Sequence, residues 1–290
     1  MDIPSEGKHF KLIRNEDLYD VLHYLEYFMP ESLKFHQTLK TYLEDHVWNF
    51  HFYVSKSWPR DPICLHFPGI TAHENGEIFG SLGLFCPTNR TDCLYLLLDE
   101  NILIDWTKPL YIHYIHSSIM DNIEYIYRSV GIVEKKCYGD FYIHYSPNDL
   151  SPIPPRFNEG EAHFKILEKK DAAVIHAYYP AKNIESLKLF ETLVEKLPSY
   201  GIFINDELVA WMIQSYYGAM ISMYTKSRFR LHGFGSFIAK YLSKLVAGRG
   251  YAPYVLVRSN NEVSRNLYER LGFTKLYTNV RGLLKPNSYR

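Results

Sequence analysis

The chain reads as an α+β protein with mixed sheets, built as two tandem units within 290 residues. Three observations carry that reading. Segments of helical period and segments of strand period alternate through both halves, so neither class dominates. A proline-rich stretch, Ser146-Pro-Asn-Asp-Leu-Ser-Pro-Ile-Pro-Pro-Arg-Phe-Asn-Glu-Gly160, falls near the middle and cannot lie inside a helix or a central strand. In the second half, a short apolar strand runs into Arg230-x-x-Gly233-x-Gly235 and opens directly into an amphipathic helix. The expected division is 1–145, a linker over 146–160, and 161–290.

The elements follow in order. Helical spacing covers 16–28 and 31–44, and strand-like runs follow at 48–54, 63–67, 78–85 and 93–98. A longer helical stretch is expected over 112–130, then a closing strand at 140–145. After the linker, 171–177 and 184–196 read as helices, and 201–204, 208–215 and 219–225 as strands. Asn205-Asp206 between the first two of these strands is a hairpin turn signal. The helix after Gly233 sets Phe237, Ile238, Tyr241, Leu242, Leu245 and Val246 on one face, and Gly248-Arg-Gly250 ends it. A strand at 254–258 and a helix through Leu267 complete the series. Both halves run helices, meander strands, helix, strand, helix, as a diverged duplication would.

Composition narrows the function. Lys+Arg and Asp+Glu balance at 32 each, which gives no electrostatic reason to expect nucleic acid or an anionic membrane as partner. No apolar run reaches the roughly 18 residues of a membrane span. The N-terminus carries early acids and no apolar core, so it resembles neither a secretory signal nor a transit peptide, and a cytoplasmic protein is expected. Cys64, Cys86, Cys93 and Cys137 include no close pair, so no metal site is expected, and core thiols are the simpler reading. His113 and His116 would share a helix face but lack a third ligand in the pattern. The 25 Tyr and 17 Phe point to aromatic-lined cores or clefts.

The glycine turn is where chemistry is expected. First-turn amides lack intrahelical acceptors and the helix dipole adds partial positive charge, so a strand, a basic turn and a helix start make an anion site. Amides of Leu231, His232, Gly233, Phe234, Gly235 and Ser236 would hold phosphate, with Arg230 or Arg228 supplying charge. The alternative is an ordinary helix entry flanked by surface arginines. Downstream lies Tyr254-Val-Leu-Val-Arg258, then Ser259-Asn260-Asn261-Glu-Val-Ser264-Arg-Asn-Leu267-Tyr268-Glu-Arg-Leu271-Gly272-Phe273.

Those two blocks, in that order, resemble the acyl-CoA-binding core of the GNAT superfamily of N-acyltransferases. There, Arg/Gln-x-x-Gly-x-Gly/Ala cradles the CoA pyrophosphate, and an Asn after the next strand, followed by Leu-Tyr on a helix ending Leu-Gly-Phe, completes the site. Within the superfamily the chain looks most like the glycine N-acyltransferase-like group. Met29-Pro-Glu-Ser-Leu-Lys34, Trp58-Pro59, Leu197-Pro-Ser-Tyr-Gly201, Leu208-Val-Ala-Trp211 and Arg230-Leu-His-Gly233 carry that likeness over nearly the whole length. The resemblance implies two GNAT-like domains, the N-terminal one degenerate and the C-terminal one holding acyl-CoA (acetyl-CoA or longer) as cosubstrate. It also implies transfer of the acyl group to a small-molecule amine, such as glycine, by direct attack, and by family analogy it admits a mitochondrial location.

Residue by residue, the resemblance makes Tyr268 the acid that protonates the departing thiolate, against a core-edge reading for the same ring. Asn261 and Ser264 would serve the CoA site, Asn261 through the pantetheine amides, although Asn261 also suits a helix N-cap. Backbone groups near Tyr224 and Thr225 would pair with the pantetheine arm, the strands at 220–225 and 254–258 splaying to admit it. His232 sits beside the phosphate turn, and Trp211 reads as core or as substrate wall. One departure matters. The family's Pro-Glu-Tyr, whose glutamate is the general base, is Ser227-Arg228-Phe229 here, and a guanidinium cannot accept a proton in the working range. The alternative function is therefore an inactive acyl-CoA-binding or interaction protein on the same fold. The sequence leaves the oligomeric state, the acyl chain and the amine open.

Overall fold

A computed structural model describes residues 4–72, 78–155, 162–182 and 185–289. It divides into two compact units, Met1–Gly139 with Thr278–Arg290, and Asp140–Tyr277. The expected linker falls inside the second of these, and its residues 156–160 lie outside the described residues, as does the expected helix start at 184.

Unit 1 contains β1 (Phe10–Leu12), α1 (Leu18–Leu25), α2 (Leu33–Asp45), β2 (His51–Ser55), β3 (Cys64–Ala72), β4 (Ile78–Phe85), α3 (Leu94–Leu98), β5 (Leu110–His116) and α4 (Ser117–Tyr127), and then β6 (Gly131–Ile143) begins. Two expectations are corrected here. The run at 93–98 is the short helix α3, not a strand: it is leucine-rich, and leucine suits a helix better than a strand. The start of the expected helix at 112–130 is β5, where Tyr, Ile, His and Tyr alternate in strand fashion. The helix α4 begins only after His116, whose ring nitrogen accepts from the Ser118 amide at 3.2 Å. His113 and His116, three apart on a strand, therefore lie on opposite faces rather than on one helix face.

Strands β1, β2, β3 and β4 form an antiparallel meander, and β4 continues into β5 in parallel, with Gly80, Ser81 and Leu82 opposite Leu110, Tyr111 and Ile112. One face of this sheet packs Leu65, Leu82 and Ile112 against α3 and α4, and Met120 and Ile123 of α4 share that core, all five fully buried. On the other face His66 stands among Phe35, Phe50 and Phe52 at ring distances of 5.4, 5.3 and 5.8 Å.

Unit 2 continues with β7 (Ala162–Lys165), α5 (Ala172–Ala177), α6 (Leu187–Lys196), β8 (Ser199–Ile204), β9 (Glu207–Gln214), β10 (Met220–Thr225), α7 (Phe234–Gly248), β11 (Tyr254–Arg258), α8 (Glu262–Arg270) and β12 (Thr274–Pro286). The order is that of unit 1 repeated: strand, two helices, three meander strands, helix, strand, helix, strand. Strands β7, β8, β9 and β10 form one antiparallel sheet with β10 at its edge. Asn205 and Asp206 both have positive φ, 49° and 63°, and turn β8 into β9 with Ile204 opposite Glu207, as the hairpin signal implied.

The final strands are exchanged between the halves of the chain. The end of β6 enters unit 2 beside β11, where Phe141 stacks on Tyr254 at 4.5 Å. The end of β12 enters unit 1 and pairs antiparallel with β5, placing Val280 and Leu284 in the unit 1 core. Among the described residues no helix is long and apolar enough to cross a membrane, and no group of three His, Cys, Asp or Glu comes together.

Candidate active site

The site assembles in unit 2 where β10, α7, β11 and α8 meet. β10 leaves the ladder regularity just before its end. Ile221 stands opposite Ile213 but Tyr224 opposite Trp211, so one extra residue is accommodated between them, and Ser222 takes a φ of 55°. A bulge of this kind bends the strand and withdraws a residue from pairing. β10 and β11 belong to different sheets, each at an edge, so the expected separation of these two strands is present. Beside them, Tyr254 at the start of β11 donates its hydroxyl to the carbonyl of Tyr217, just before β10.

The turn after β10 is built for close approach. Leu231 has φ 67° with its side chain fully exposed, and Gly233 has φ 82° at the N-cap of α7. A left-handed leucine costs about 1–2 kcal/mol. No side chain caps α7, and its first intrahelical bond runs from Phe237 N–H to the carbonyl of Gly233 at 3.0 Å. The first-turn residues Phe234, Gly235 and Ser236 carry amides that have no intrahelical acceptor, as an anion site at a helix start requires. The Phe234 side chain is core, so its amide is what it can offer a ligand. A Cβ on Gly235 would lie 3.9 Å from both Leu267 and Thr225, which brings α8 and the end of β10 up to this first turn. His232 stacks its ring near Phe234, 6.0 Å between centroids.

On α8, Asn261 is the N-cap: its Oδ1 accepts from the Ser264 amide at 3.1 Å, which leaves its amide NH₂ for any further partner. Tyr268 is buried, its ring edge-on to Phe273 at 5.1 Å. Its hydroxyl donates to Met223 Sδ at 3.4 Å, at the β10 bulge. Burial pushes the phenol up from its ordinary value, so it stays protonated. A thioether is a weak acceptor, so the donor is held in place without being strongly engaged.

Charged residues gather at the other end of the turn. Lys226 Nζ lies 2.8 Å from Glu207 Oε1, and the Arg228 guanidinium pairs with Glu207 Oε2. The Lys226 hydrogen bond and then the neighbouring positive charges hold the Glu207 carboxyl below its usual range. Arg230 donates Nε–H to the Thr225 carbonyl at 3.1 Å and lies over the Tyr224 ring, 5.6 Å from its centroid. Tyr224 in turn stacks on Trp211 at 5.2 Å, and Tyr178 meets both rings, at 4.9 and 5.5 Å. Trp211 is fully buried, the core alternative of its two readings.

The sequence reading missed three participants: the bulge at Ser222, the acidic partner Glu207, and Tyr178. Only Glu207 left a signal, as the acid opening a strand that pairs with the basic turn.

Unit 1 lacks the counterpart. Its β4 is hydrogen-bonded to β5, and the segment after β4, Cys86-Pro-Thr-Asn-Arg90, has no glycine and leads into a helix of only 5 residues.

Comparison with known proteins agrees with this layout. Residues 199–282 match the family model described as FR47-like protein. The human Glycine N-acyltransferase-like protein 2 is 21% identical over 261 residues, covering 86% of this chain and 88% of that protein. The crystal structure of a Drosophila protein superposes with a TM-score of 0.80 at 18% identity, over 97% of this chain and 100% of that one. A tandem GNAT protein from the clavulanic acid biosynthesis pathway gives 0.58 at 10% identity, over 97% and 98% of the two chains. A GCN5-related N-acetyltransferase from Sphaerobacter thermophilus gives 0.52 at 13%, over 100% of both. The chain therefore carries the GNAT fold twice, in tandem, and is similar over most of its length to a glycine N-acyltransferase-like protein.

Proposed function

We propose that unit 2 is an acyl-CoA-dependent N-acyltransferase acting on a small amine. The observation that carries this reading is the junction of the uncapped α7 N-terminus with the unpaired edges of β10 and β11, beside a protonated buried phenol. The residues present fit the cosubstrate. The first-turn amides after Gly233 would take the pyrophosphate, and the open edge of β10 through Tyr224 and Thr225 would take the pantetheine amides as a further strand would. The Asn261 NH₂ remains available as a donor.

In the reaction, a neutral amine nitrogen attacks the thioester carbonyl carbon while a backbone N–H at the bulge polarises the carbonyl oxygen. The C–S bond breaks, and Tyr268 gives its proton to the leaving thiolate. The proton lost by the amine returns to the tyrosinate through water, so the products are an amide and free CoA thiol. No enzyme-bound acyl group is required.

Arg228 favours a second reading. It stands where the family has its base and is occupied by Glu207, so a chain that binds CoA without turnover is the alternative. Calorimetric titration with CoA and acetyl-CoA, followed by a thiol-release screen over amines, separates the two. A Kd near about 10 μM, corresponding to about −7 kcal/mol, lost in Gly233→Glu, supports the site; thiol release with an amine supports the enzyme. No binding by the unaltered chain overturns both readings.

A further inference from the structure

The face of the unit 1 sheet that carries α2 holds a row of nitrogen side chains. Gly83 of β4 stands opposite His66 of β3, and a Cβ there would fall 1.7 Å from His66 Nε2, so the imidazole lies across β4 toward β5. Leu82 and Ile112, paired between β4 and β5, face the α3 and α4 core, so the next residue of each strand, Gly83 and His113, turns to the α2 side. On β12 the same alternation places Arg281, which follows the core residue Val280, on that side as well. Its guanidinium lies 5.1 Å from the ring of Tyr114, the neighbour of His113. From above, α2 brings Phe35 to 5.4 Å from His66, and Lys34 precedes it.

His66 is 2% exposed, and its Nδ1 and the Nε2 of His113 have no hydrogen-bond partner among the described residues. An unpaired buried group costs about 1–3 kcal/mol, and native structures keep few without a reason. Burial holds both imidazoles neutral, and the positive charges of Lys34, on both, and of Arg281, on His113, act in the same direction. A neutral imidazole still presents one N–H, on either nitrogen according to tautomer. Two such donors, an ammonium and a guanidinium therefore gather with no carboxylate among the charges that act on the imidazoles. That arrangement complements an anion. The surroundings select its charge. Phe35, Phe50 and Phe52 enclose His66, and Tyr111 meets His113 edge-on at 5.4 Å. Taking an ion out of water into such a setting costs more as its charge rises, which favours a monovalent carboxylate over a phosphate dianion. His113, Lys34 and Arg281 are only partly covered, so the row reaches solvent through them.

We propose that unit 1 binds a small monocarboxylate between His66, His113, Lys34 and Arg281. The inference stands independently of the acyltransferase reading of unit 2.

The test titrates the full chain with sodium acetate and sodium benzoate, with sodium chloride and sodium phosphate as controls at matched ionic strength. Calorimetry is read beside the imidazole carbon–proton signals of the unaltered chain, assigned through the backbone. A carboxylate should saturate one site with a Kd of about 1 mM or tighter and move the His66 and His113 signals, leaving the signal of exposed His23 in place. Lys34→Met and Arg281→Met should each weaken binding about tenfold or more, as loss of a charge-assisted contact does. No saturable binding of either carboxylate overturns the proposal, and so does an equal response to chloride. Phosphate that moves the same signals at lower concentration than the carboxylates overturns the assigned ligand class. Saturable binding that leaves both imidazole signals unmoved lies elsewhere and overturns the site.

Discussion

Replacing Tyr268 by Phe separates a catalytic phenol from a packing one, because the structure makes the two costs very different. The hydroxyl is buried, but its one hydrogen bond goes to a thioether at 3.4 Å, a weak acceptor at long range. Removing it should therefore cost no more than about 1 kcal/mol of stability, the net value of an ordinary hydrogen bond. The ring contact with Phe273 survives in the variant. Loss of a positioned general acid, in contrast, costs about 10²–10⁴-fold in rate, or about 3–5 kcal/mol of barrier. The assay is thiol release at saturating acetyl-CoA, read beside calorimetric CoA affinity and the urea midpoint. Turnover should collapse while affinity and midpoint hold. Unchanged turnover would refute the acid role outright. Parallel losses of rate, affinity and stability would return Tyr268 to the core.

Asn261→Ala should cost about 1 kcal/mol through the lost N-cap, whereas Asn261→Asp keeps an accepting oxygen for Ser264 and removes the NH₂; a CoA affinity that falls in the Asp variant, measured by calorimetry, assigns that NH₂ to the cosubstrate. Gly83→Ala should destabilise by about 1–3 kcal/mol or more, since its Cβ would fall 1.7 Å from His66 Nε2 with the ring already enclosed by phenylalanines. Adding His66→Ala should recover part of that loss in a double-mutant cycle of urea midpoints. Acid should weaken the fold through buried imidazoles. Burial lowers His113 to about 3 and His36 to about 4, with His66 well down for the same reason. Folded values below the unfolded one mean the stabilisation is complete above about pH 6.5 and is lost as pH falls toward those values. Urea midpoints between pH 7 and 4 should decline, and less steeply in His113→Gln.

Much of unit 2 was legible because local signals and tertiary demands agree there. Gly233 has the positive φ that a turn into a helix requires, Asn205-Asp206 makes the hairpin its composition implied, and α7 buries the apolar face its spacing marked out. In unit 1 those signals conflict. A short apolar run such as Leu94-Tyr-Leu-Leu-Leu98 fits a strand or a helix by hydrophobicity, and its surroundings choose. At 110–127 two apolar elements abut without glycine or proline between them, so a strand and a helix merged into one apparent helix. The candidate residues were legible as a list and not as an arrangement. Nothing in the spelling of Ile221-Ser-Met-Tyr224 announces a bulge.

Sequence alone was enough for the tandem division into two α+β halves and for the strand–glycine turn–helix order at 220–248, because each depends on residue types at short spacing. The exchange of final strands depended on the assembled fold. β12 follows α8 in the chain but ends beside β5, and β6 follows α4 but ends beside β11. Strand pairing is a contest among edges far apart in sequence, won by whichever register buries the strand's apolar face best. Val280 and Leu284 find their burial in the unit 1 core, and local pattern carries no information about which of two similar sheets a strand will complete.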